Sequence, residues 1–136
     1  MTQPIAYLQF SGQCREALNF YQECLGGDIY LQKVAESPMA AQMPSEAGAN
    51  ILHGTLTKDG TVIIMGSDMM GPRLKPGNSI ALCLNCSSDD ELHACFDKLA
   101  IGGQVITPVH QSFWGSTYGE LTDKYGFLWM LNHSRN

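Results

Sequence analysis

The sequence contains little charge, and its basic residues do not cluster. Asp, Glu, Lys and Arg make up 15% of the 136 residues, and eight basic residues stand against thirteen acidic ones. Nucleic-acid binding depends on grouped basic side chains that displace counterions from phosphates. The composition therefore predicts no nucleic-acid partner. A surface with few charges also favours contact between subunits, and we expect a homodimer.

Long hydrophobic runs are also missing. No apolar stretch approaches the roughly 18 residues that a membrane span needs, and Met1-Thr2-Gln3-Pro4 lacks the basic start of a secretory signal peptide. We therefore expect no membrane partner and a cytoplasmic location. The five cysteines are odd in number and scattered, so reduced thiols are expected.

Two of these cysteines have the spacing of a redox or zinc motif. Cys83-Leu84-Asn85-Cys86 lies within a predicted strand, Ser79–Cys86, where residues three apart point to opposite faces. Such a pair cannot converge on one metal or form a disulfide within the strand. The pattern is more typical of small core residues.

The sequence has no glycine-rich nucleotide-binding motif and no GxSxG nucleophile motif. Its paired glycines follow predicted helices, so they end helices and do not hold phosphates. The first strand-to-helix turn, Ser11-Gly12-Gln13, is short and has a single glycine. We therefore discount methyl transfer from S-adenosylmethionine and expect no cofactor.

The sequence reads as an internal duplication. Leu25-Gly26-Gly27-Asp28-Ile29 recurs as Ile101-Gly102-Gly103-Gln104-Val105, and Leu56-Thr57 before a turn recurs as Leu121-Thr122. A half of about 65 residues buries too little surface to be stable alone. We therefore expect one domain, 1–136, made of modules at about 1–66 and 79–136, with a linker at 67–78 and a ligand site between the modules.

The first module reads as strand, helix and three strands. A strand at Ile5–Phe10 precedes a helix at Gln13–Leu25, which Ser11-Gly12 would cap and Gly26-Gly27 would end. Further strands are predicted at Asp28–Val34, Asn50–Thr57 and Thr61–Gly66, the last two joined by an Asp-Gly turn. The intervening segment, 35–49, is rich in proline, glycine and serine, and it reads either as a lid or as a disordered loop.

The second module repeats this order. After the strand at Ser79–Cys86, Ser88 and Glu91 form a predicted capping box. Leu92, Cys95, Phe96 and Leu99 then mark the buried side of a helix. Strands follow at Gln104–Val109, Thr117–Thr122 and Phe127–Asn132. The fold class predicted is α+β, with two tandem β-α-β-β-β modules.

Several motifs in this order resemble the vicinal oxygen chelate superfamily, which includes glyoxalases, bleomycin resistance proteins and dioxygenases. Phe20-Tyr21 before Leu25-Gly26 is similar to the end of its first helix, and Asp123-x-x-Gly126 to its last hairpin turn. Phe113-Trp114-Gly115, with Tyr118-Gly119 and Trp129, resembles the PhnB/YjdN-like branch, which has also carried a 3-demethylubiquinone 3-methyltransferase-like label. The resemblance covers essentially the whole chain and implies a curved mixed sheet around a cavity.

In metal-dependent relatives, the resemblance implies four inward ligands on the first and last strands of each module. An ungapped alignment from Phe20-Tyr21 puts Ala6, Ile64, Ser79 and Met130 at these positions, with Tyr7 beside the first. None of the four is a good ligand for a hard or borderline divalent metal, which requires carboxylate or imidazole groups. The resemblance thus implies a cavity without its usual metal centre.

The candidate catalytic residues are His53 and Glu120. His53 could act as an acid or base near neutral pH, and Glu120 would act as a general base if it faces the cavity. A structural histidine and a solvent-facing glutamate are the alternatives, and His93, His110 and His133 read as structural. The full candidate ligand-binding set is Tyr7, Gln9, His53, Met65, Trp114, Glu120 and Met130.

Some of these residues also have a structural interpretation. Met65, Met130 and Trp129 are most simply core residues, and the methionines line a cavity only under the family alignment. In a functional role, Trp114 would form a wall of the pocket or part of a cleft shared in a dimer. The structural alternative is that Trp114 only packs against its neighbours.

The function predicted is binding of a small, largely apolar molecule without a catalytic metal. One alternative is a metal-dependent lyase, isomerase or dioxygenase-type enzyme with a displaced ligand set that includes His53 and Glu120. Another is a non-catalytic accessory protein whose cavity is filled by its own side chains. The sequence does not identify the ligand.

Overall fold

The computed structural model describes residues 2–37, 49–68, 74–75 and 77–134. The chain divides into two compact units, Met1–Lys75 and Pro76–Asn136. Each unit contains one four-stranded mixed sheet and one helix of three turns. This arrangement confirms the predicted α+β class and the β-α-β-β-β order of each module.

The first unit begins with a strand and a helix that packs on the sheet. Its elements are β1 (Ala6–Phe10), α1 (Cys14–Leu25), β2 (Asp28–Lys33), β3 (Ile51–Lys58) and β4 (Thr61–Asp68). The strands lie in the order β1-β4-β3-β2, with β1 parallel to β4 and the other pairs antiparallel. A single 3-10 turn, Val34–Glu36, follows β2.

One face of this sheet packs closely against α1. A Cβ atom added to Gly54 would lie 2.7 Å from Leu18 Cδ1, and one added to Gly66 would lie 3.4 Å from the Cys14 sulfur. Both glycines let the helix approach the strands. Since strand side chains alternate between faces, Leu8 and Ile64 share this face with the glycines, and both are buried.

The start of α1 differs from the prediction. Ser11-Gly12 does not cap the helix; the N-cap residue is Gln13, and it makes no side-chain capping bond. Instead, the Asp68 carboxylate at the end of β4 accepts the backbone N–H of Cys14 at 2.9 Å and that of Ile51 at 2.8 Å. A carboxylate from 54 residues away thus satisfies a donor that helices leave open at their start.

The second unit repeats this topology. Its elements are β5 (Ala81–Asn85), α2 (Asp89–Leu99), β6 (Gln104–Gln111), β7 (Ser116–Thr122) and β8 (Leu128–Ser134). The strand order is β5-β8-β7-β6, with β5 parallel to β8. Gly119 faces α2, because a Cβ there would lie 2.8 Å from the Phe96 ring.

Half of the predicted capping box is present on α2. The Ser88 hydroxyl accepts the backbone N–H of Glu91 at 3.0 Å. The Glu91 carboxylate, however, accepts the backbone N–H of Ser87 at 3.0 Å, one residue before the position that a capping box requires. The helix stripe is confirmed, since Leu92, Cys95, Phe96 and Leu99 are buried.

The turn signals are also confirmed. Asp59 and Gly60 join β3 to β4 with φ angles of 52° and 80°, the left-handed values that an Asp-Gly hairpin turn requires. Gly26 follows α1 with φ 82°. Of the predicted loop at 35–49, positions 38–48 lie outside the described residues, as does half of the linker at 67–78. No helix in the described part of the chain is long and apolar enough to cross a membrane.

Candidate functional site

Each sheet has a second face, which we call the opposite face because it points away from the helix of its unit. In the first sheet it carries a cross-strand row in which Tyr7 pairs with Met65, Met65 with Thr55, and Thr55 with Tyr30. Gln9 and His53 lie two residues along their strands from Tyr7 and Thr55. Four of the predicted ligand-binding residues are therefore together on this face: Tyr7, Gln9, His53 and Met65.

Tyr7 and His53 form the polar contact of this face. The Tyr7 hydroxyl lies 3.4 Å from His53 Nδ1, and the two ring centroids are 5.9 Å apart. Tyr7 is 45% exposed, and His53 is half-buried. A phenol beside an imidazole can exchange a proton or orient a polar group of a ligand, so the arrangement suits recognition on a partly apolar surface.

The opposite face of the second sheet carries the equivalent row. Cys83 pairs with Met130, Met130 with Glu120, and Glu120 with Thr107. Glu120 therefore points away from α2, as the candidate assignment required, and it is half-buried. Met65 and Met130 hold corresponding positions on the last strands of the two units. Neither methionine belongs to the helix-packed core, so their simplest sequence interpretation is wrong.

Glu120 lies among polar side chains of neighbouring strands. The Thr107 hydroxyl donates to its Oε2 at 3.5 Å, and the Tyr118 hydroxyl, two residues earlier on the same strand face, also hydrogen-bonds to the carboxylate. Partial burial raises the pKa of Tyr118, and the negative charge of Glu120 raises that pKa further. The tyrosine therefore stays a neutral donor across the physiological pH range.

Further aromatic side chains lie around Tyr118, the partner of this carboxylate. The Trp114 ring meets the Tyr118 ring edge-on with centroids 6.0 Å apart, and His110 meets the same tyrosine at 6.1 Å. Trp114 is 53% exposed, and Phe113 is 98% exposed. By contrast, Trp129 is 3% exposed and belongs to the core. Trp114 is thus available to a ligand or a partner.

Two of the four metal positions of the ungapped alignment, Ala6 and Ile64, lie on the face that packs against α1. Ile64 is 3% exposed on the face that packs against α1, and Ala6 pairs directly with it. Ser79 precedes β5. Only Met130 lies on an opposite face. A one-residue slip moves every side chain of a strand to the other face, so Tyr7 and Met65 are the neighbouring opposite-face positions in the first unit. In the second unit, Met130 keeps its place and pairs on β5 with Cys83.

The corrected positions also lack carboxylate and imidazole groups. No group of three or more His, Cys, Asp or Glu side chains within the described residues could hold a metal ion. Cys83 and Cys86 point to different environments, the first exposed and the second buried. The interpretation as core residues therefore holds for Cys86 and is wrong for Cys83, and the strand ends at Asn85, one residue before Cys86.

Sequence reasoning missed four members of these faces: Tyr30, Thr55, Thr107 and Tyr118. Thr55 and Tyr118 alternate with buried residues along their strands, whereas the strand neighbours of Tyr30 and Thr107 are half-buried or exposed. Their partners across the sheet depend on strand register, which has irregularities after Leu56 and after Val105. Alternation alone therefore could not assign the rows.

Comparisons with known proteins agree with this architecture. A family model described as 3-demethylubiquinone-9 3-methyltransferase matches residues 2–132. Protein YjdN of Escherichia coli K12 is 31% identical over 134 residues, with 93% of this chain and 91% of that protein covered. The structure of protein PA1353 from Pseudomonas aeruginosa is 31% identical, covers all of both chains and has a TM-score of 0.87.

A more distant structure shows the wider fold. A glyoxalase/bleomycin resistance protein/dioxygenase family enzyme from Burkholderia phytofirmans PsJN is 12% identical, with 96% of this chain and 98% of that one covered and a TM-score of 0.63. At that identity the likeness concerns the fold, which is the glyoxalase-like fold that the motifs predicted.

Proposed function

This chain belongs to the 3-demethylubiquinone-9 3-methyltransferase-like family, in the PhnB/YjdN-like branch of the vicinal oxygen chelate superfamily, and we propose that it binds a small, largely apolar molecule without a catalytic metal. The binding surface is the opposite face of each sheet. The reduced thiols and the low charge further support a cytoplasmic homodimer.

One observation carries this proposal: each opposite face combines apolar side chains with a few polar groups at its centre. Tyr7 and Met65 adjoin His53 in the first unit, and Met130 adjoins Glu120 in the second. Small-molecule sites are typically apolar surfaces with a small number of polar groups that set orientation. The described residues of these faces have that composition.

The first strand-to-helix connection lacks the features that would hold the cofactor of a methyltransferase. Nucleotide-type cofactors are held by glycine-rich turns and by the positive start of a helix. Here the connection between β1 and α1 spans Ser11–Gln13. The Asp68 carboxylate already accepts the N–H of Cys14 at the start of α1, and its negative charge opposes a bound phosphate or carboxylate.

The donor set supports binding without a metal. The opposite-face positions on the first and last strands are a tyrosine, two methionines and a cysteine. Thioether and thiol sulfur are soft ligands that select soft metals, whereas hard and borderline divalent metals take carboxylate oxygen or imidazole nitrogen. A chelate centre for a bidentate oxygen substrate would need those groups.

The accessory-protein alternative requires these faces to be filled by the chain's own packing. The exposure of Tyr7 and of Trp114, 45% and 53%, supports a surface available to a ligand instead. Large aromatic side chains that remain partly exposed supply contact area at little cost in conformational entropy.

Fragment screening by protein-observed NMR tests the proposal. Small aromatic and aliphatic fragments should shift the backbone amide signals of Tyr7, Met65, Glu120 and Met130 more than those of α1 and α2. The variant His53→Ala should weaken binding at the first sheet, whereas His93→Ala on the exposed side of α2 should not. Perturbations confined to the outer helix surfaces would contradict the proposal.

A further inference from the structure

We propose that the opposite face of the second sheet selects ligands that carry a protonated amine. Glu120 would accept the ammonium group, and the Trp114–Tyr118 pair would bind its cationic end and the adjoining apolar part. This inference rests on the proposed function, whose ligand class it narrows from apolar molecules in general to apolar amines.

The first support is that Glu120 has neutral partners. Thr107 and Tyr118 donate hydrogen bonds to its carboxylate, and both hydroxyls are uncharged. The strands β5 to β8 contain no Lys or Arg. Among the described residues, Glu120 forms no ion pair. This carboxylate can therefore accept an ammonium group, and hydrogen bonds between charged partners are stronger than those between neutral groups.

The second support is the aromatic geometry around Tyr118, the tyrosine that hydrogen-bonds to Glu120. Trp114 and Tyr118 meet at 65° with centroids 6.0 Å apart, and Phe113 meets Trp114 at 87° and 5.1 Å. Rings set at steep angles present both edges and faces to the space around them. Ammonium groups are attracted to the faces of tryptophan and tyrosine rings, and Trp114 remains 53% exposed.

The other ionisable groups on this face do not compete for an amine. His110 is turned toward its own strand, where Nδ1 lies 2.9 Å from the Pro108 carbonyl oxygen. Cys83 lies across β8 from Glu120 and carries no cationic group. Electrostatic attraction on this face is therefore dominated by one negative charge.

Three probes that share one ring system test the inference. Binding of tryptamine, tryptophol and indole-3-acetate is measured by isothermal titration calorimetry at pH 8 and low salt. These probes carry a cationic, a neutral and an anionic group on the same indole. We expect tryptamine to bind roughly tenfold more tightly than tryptophol, and indole-3-acetate to bind most weakly.

Variants assign that preference to the proposed residues. Glu120→Gln keeps the side-chain shape and should bring the tryptamine-to-tryptophol ratio to about one. Glu23→Gln, the same change on the exposed side of α1, should leave the ratio unchanged. Trp114→Leu should weaken both probes and reduce the ratio, and it provides a second test if Glu120→Gln does not fold.

The outcomes separate the two proposals. Equal affinity of the wild-type protein for the three indoles would overturn the amine inference and leave the proposed function standing. Absence of binding by all three at millimolar concentration would count against both. A preference for tryptamine that survives Glu120→Gln in a folded variant would overturn the role of this carboxylate.

Discussion

The carboxylate of Asp123 accepts the indole N–H of Trp129 through Oδ2 at 2.8 Å. Its Oδ1 accepts the backbone N–H groups of Tyr125 and Phe127 at 2.8 and 3.1 Å. Both Asp123 and Trp129 are buried. One side chain thus shapes the β7–β8 turn and fixes the largest aromatic residue of the second core, which explains why the aspartate of this turn motif is followed by a tryptophan six residues later.

Asp123→Asn should lower the free energy of unfolding by about 1–3 kcal/mol. An asparagine amide cannot accept hydrogen bonds on both sides, so either the indole or the turn would lose its partner. Urea denaturation measures the change. Asp59→Asn in the equivalent β3–β4 turn is the control. It should change stability by less than about 0.5 kcal/mol, because asparagine tolerates the positive φ of that residue. Similar losses in both variants would contradict this account.

The two tryptophans should respond differently to truncation. Trp129→Ala removes a buried ring and should cost about 3–5 kcal/mol of stability. Trp114→Ala removes a half-exposed ring and should cost less than about 1 kcal/mol, while weakening any ligand found by screening. Thermal and urea unfolding measure both. A loss of several kcal/mol in Trp114→Ala would identify it as a core residue and remove it from the candidate site.

The cysteines should differ sharply in reactivity. Cys83 is exposed, whereas Cys14 is buried. Burial raises the pKa of the Cys14 thiol to about 12, and the nearby negative charge of Asp68 adds to the effect. Since the thiolate is the reactive form, a thiol-specific reagent at pH 8 should modify Cys83 well before Cys14, as peptide mass spectrometry can show.

The raised pKa of Cys14 predicts that the stability of the protein falls at alkaline pH. The folded state holds the Cys14 proton more tightly than the unfolded chain, whose thiol has a pKa near 9.0. The stabilisation is therefore complete below about pH 9 and is lost as the pH rises toward about 12. Unfolding free energies of Cys14→Ala should decline less steeply over that interval. Parallel declines in both proteins would contradict the assignment.

Metal content is a further test. Because the corrected positions Tyr7, Met65, Cys83 and Met130 lack carboxylate and imidazole groups, protein purified without chelator should contain substoichiometric divalent metal. Elemental analysis measures the ratio. About one zinc, nickel, iron or manganese per chain, removed by mutation of His53 or Glu120, would favour an enzyme with a displaced ligand set.

Assembly can be measured directly. The outer strand β6 carries Val105 and Ile106, both exposed, and a long apolar edge strand favours pairing with another chain. We expect a homodimer that buries at least about 1,000 Å² in total. Light scattering at micromolar concentration should give twice the mass of the chain. A monomer under those conditions would contradict this prediction, and Ile106→Glu would test the role of β6.

Much of the fold could be predicted from short-range patterns. Gly26 and Asp59-Gly60 adopt left-handed backbone conformations. They therefore predicted a helix end and a hairpin turn independently of tertiary contacts. The stripe of Leu92, Cys95, Phe96 and Leu99 needed only helical periodicity. Each of these features depends on residues a few positions apart, which is the range over which backbone sterics and local hydrogen bonds act.

The composition of the candidate site depended on the tertiary structure. Alternation showed that neighbours such as Ile64 and Met65 point to different faces, but only the packing of Leu18 against Gly54 decided which face α1 covers. The contact between Tyr7 and His53 joins residues 46 apart, and Asp68 caps a helix 54 residues earlier. The sequence by itself determined the elements, turns and family, because those follow from local backbone preferences and motif order. Strand register and helix packing decided which side chains meet. A strand displaced by one residue turns its alternate side chains toward the opposite face.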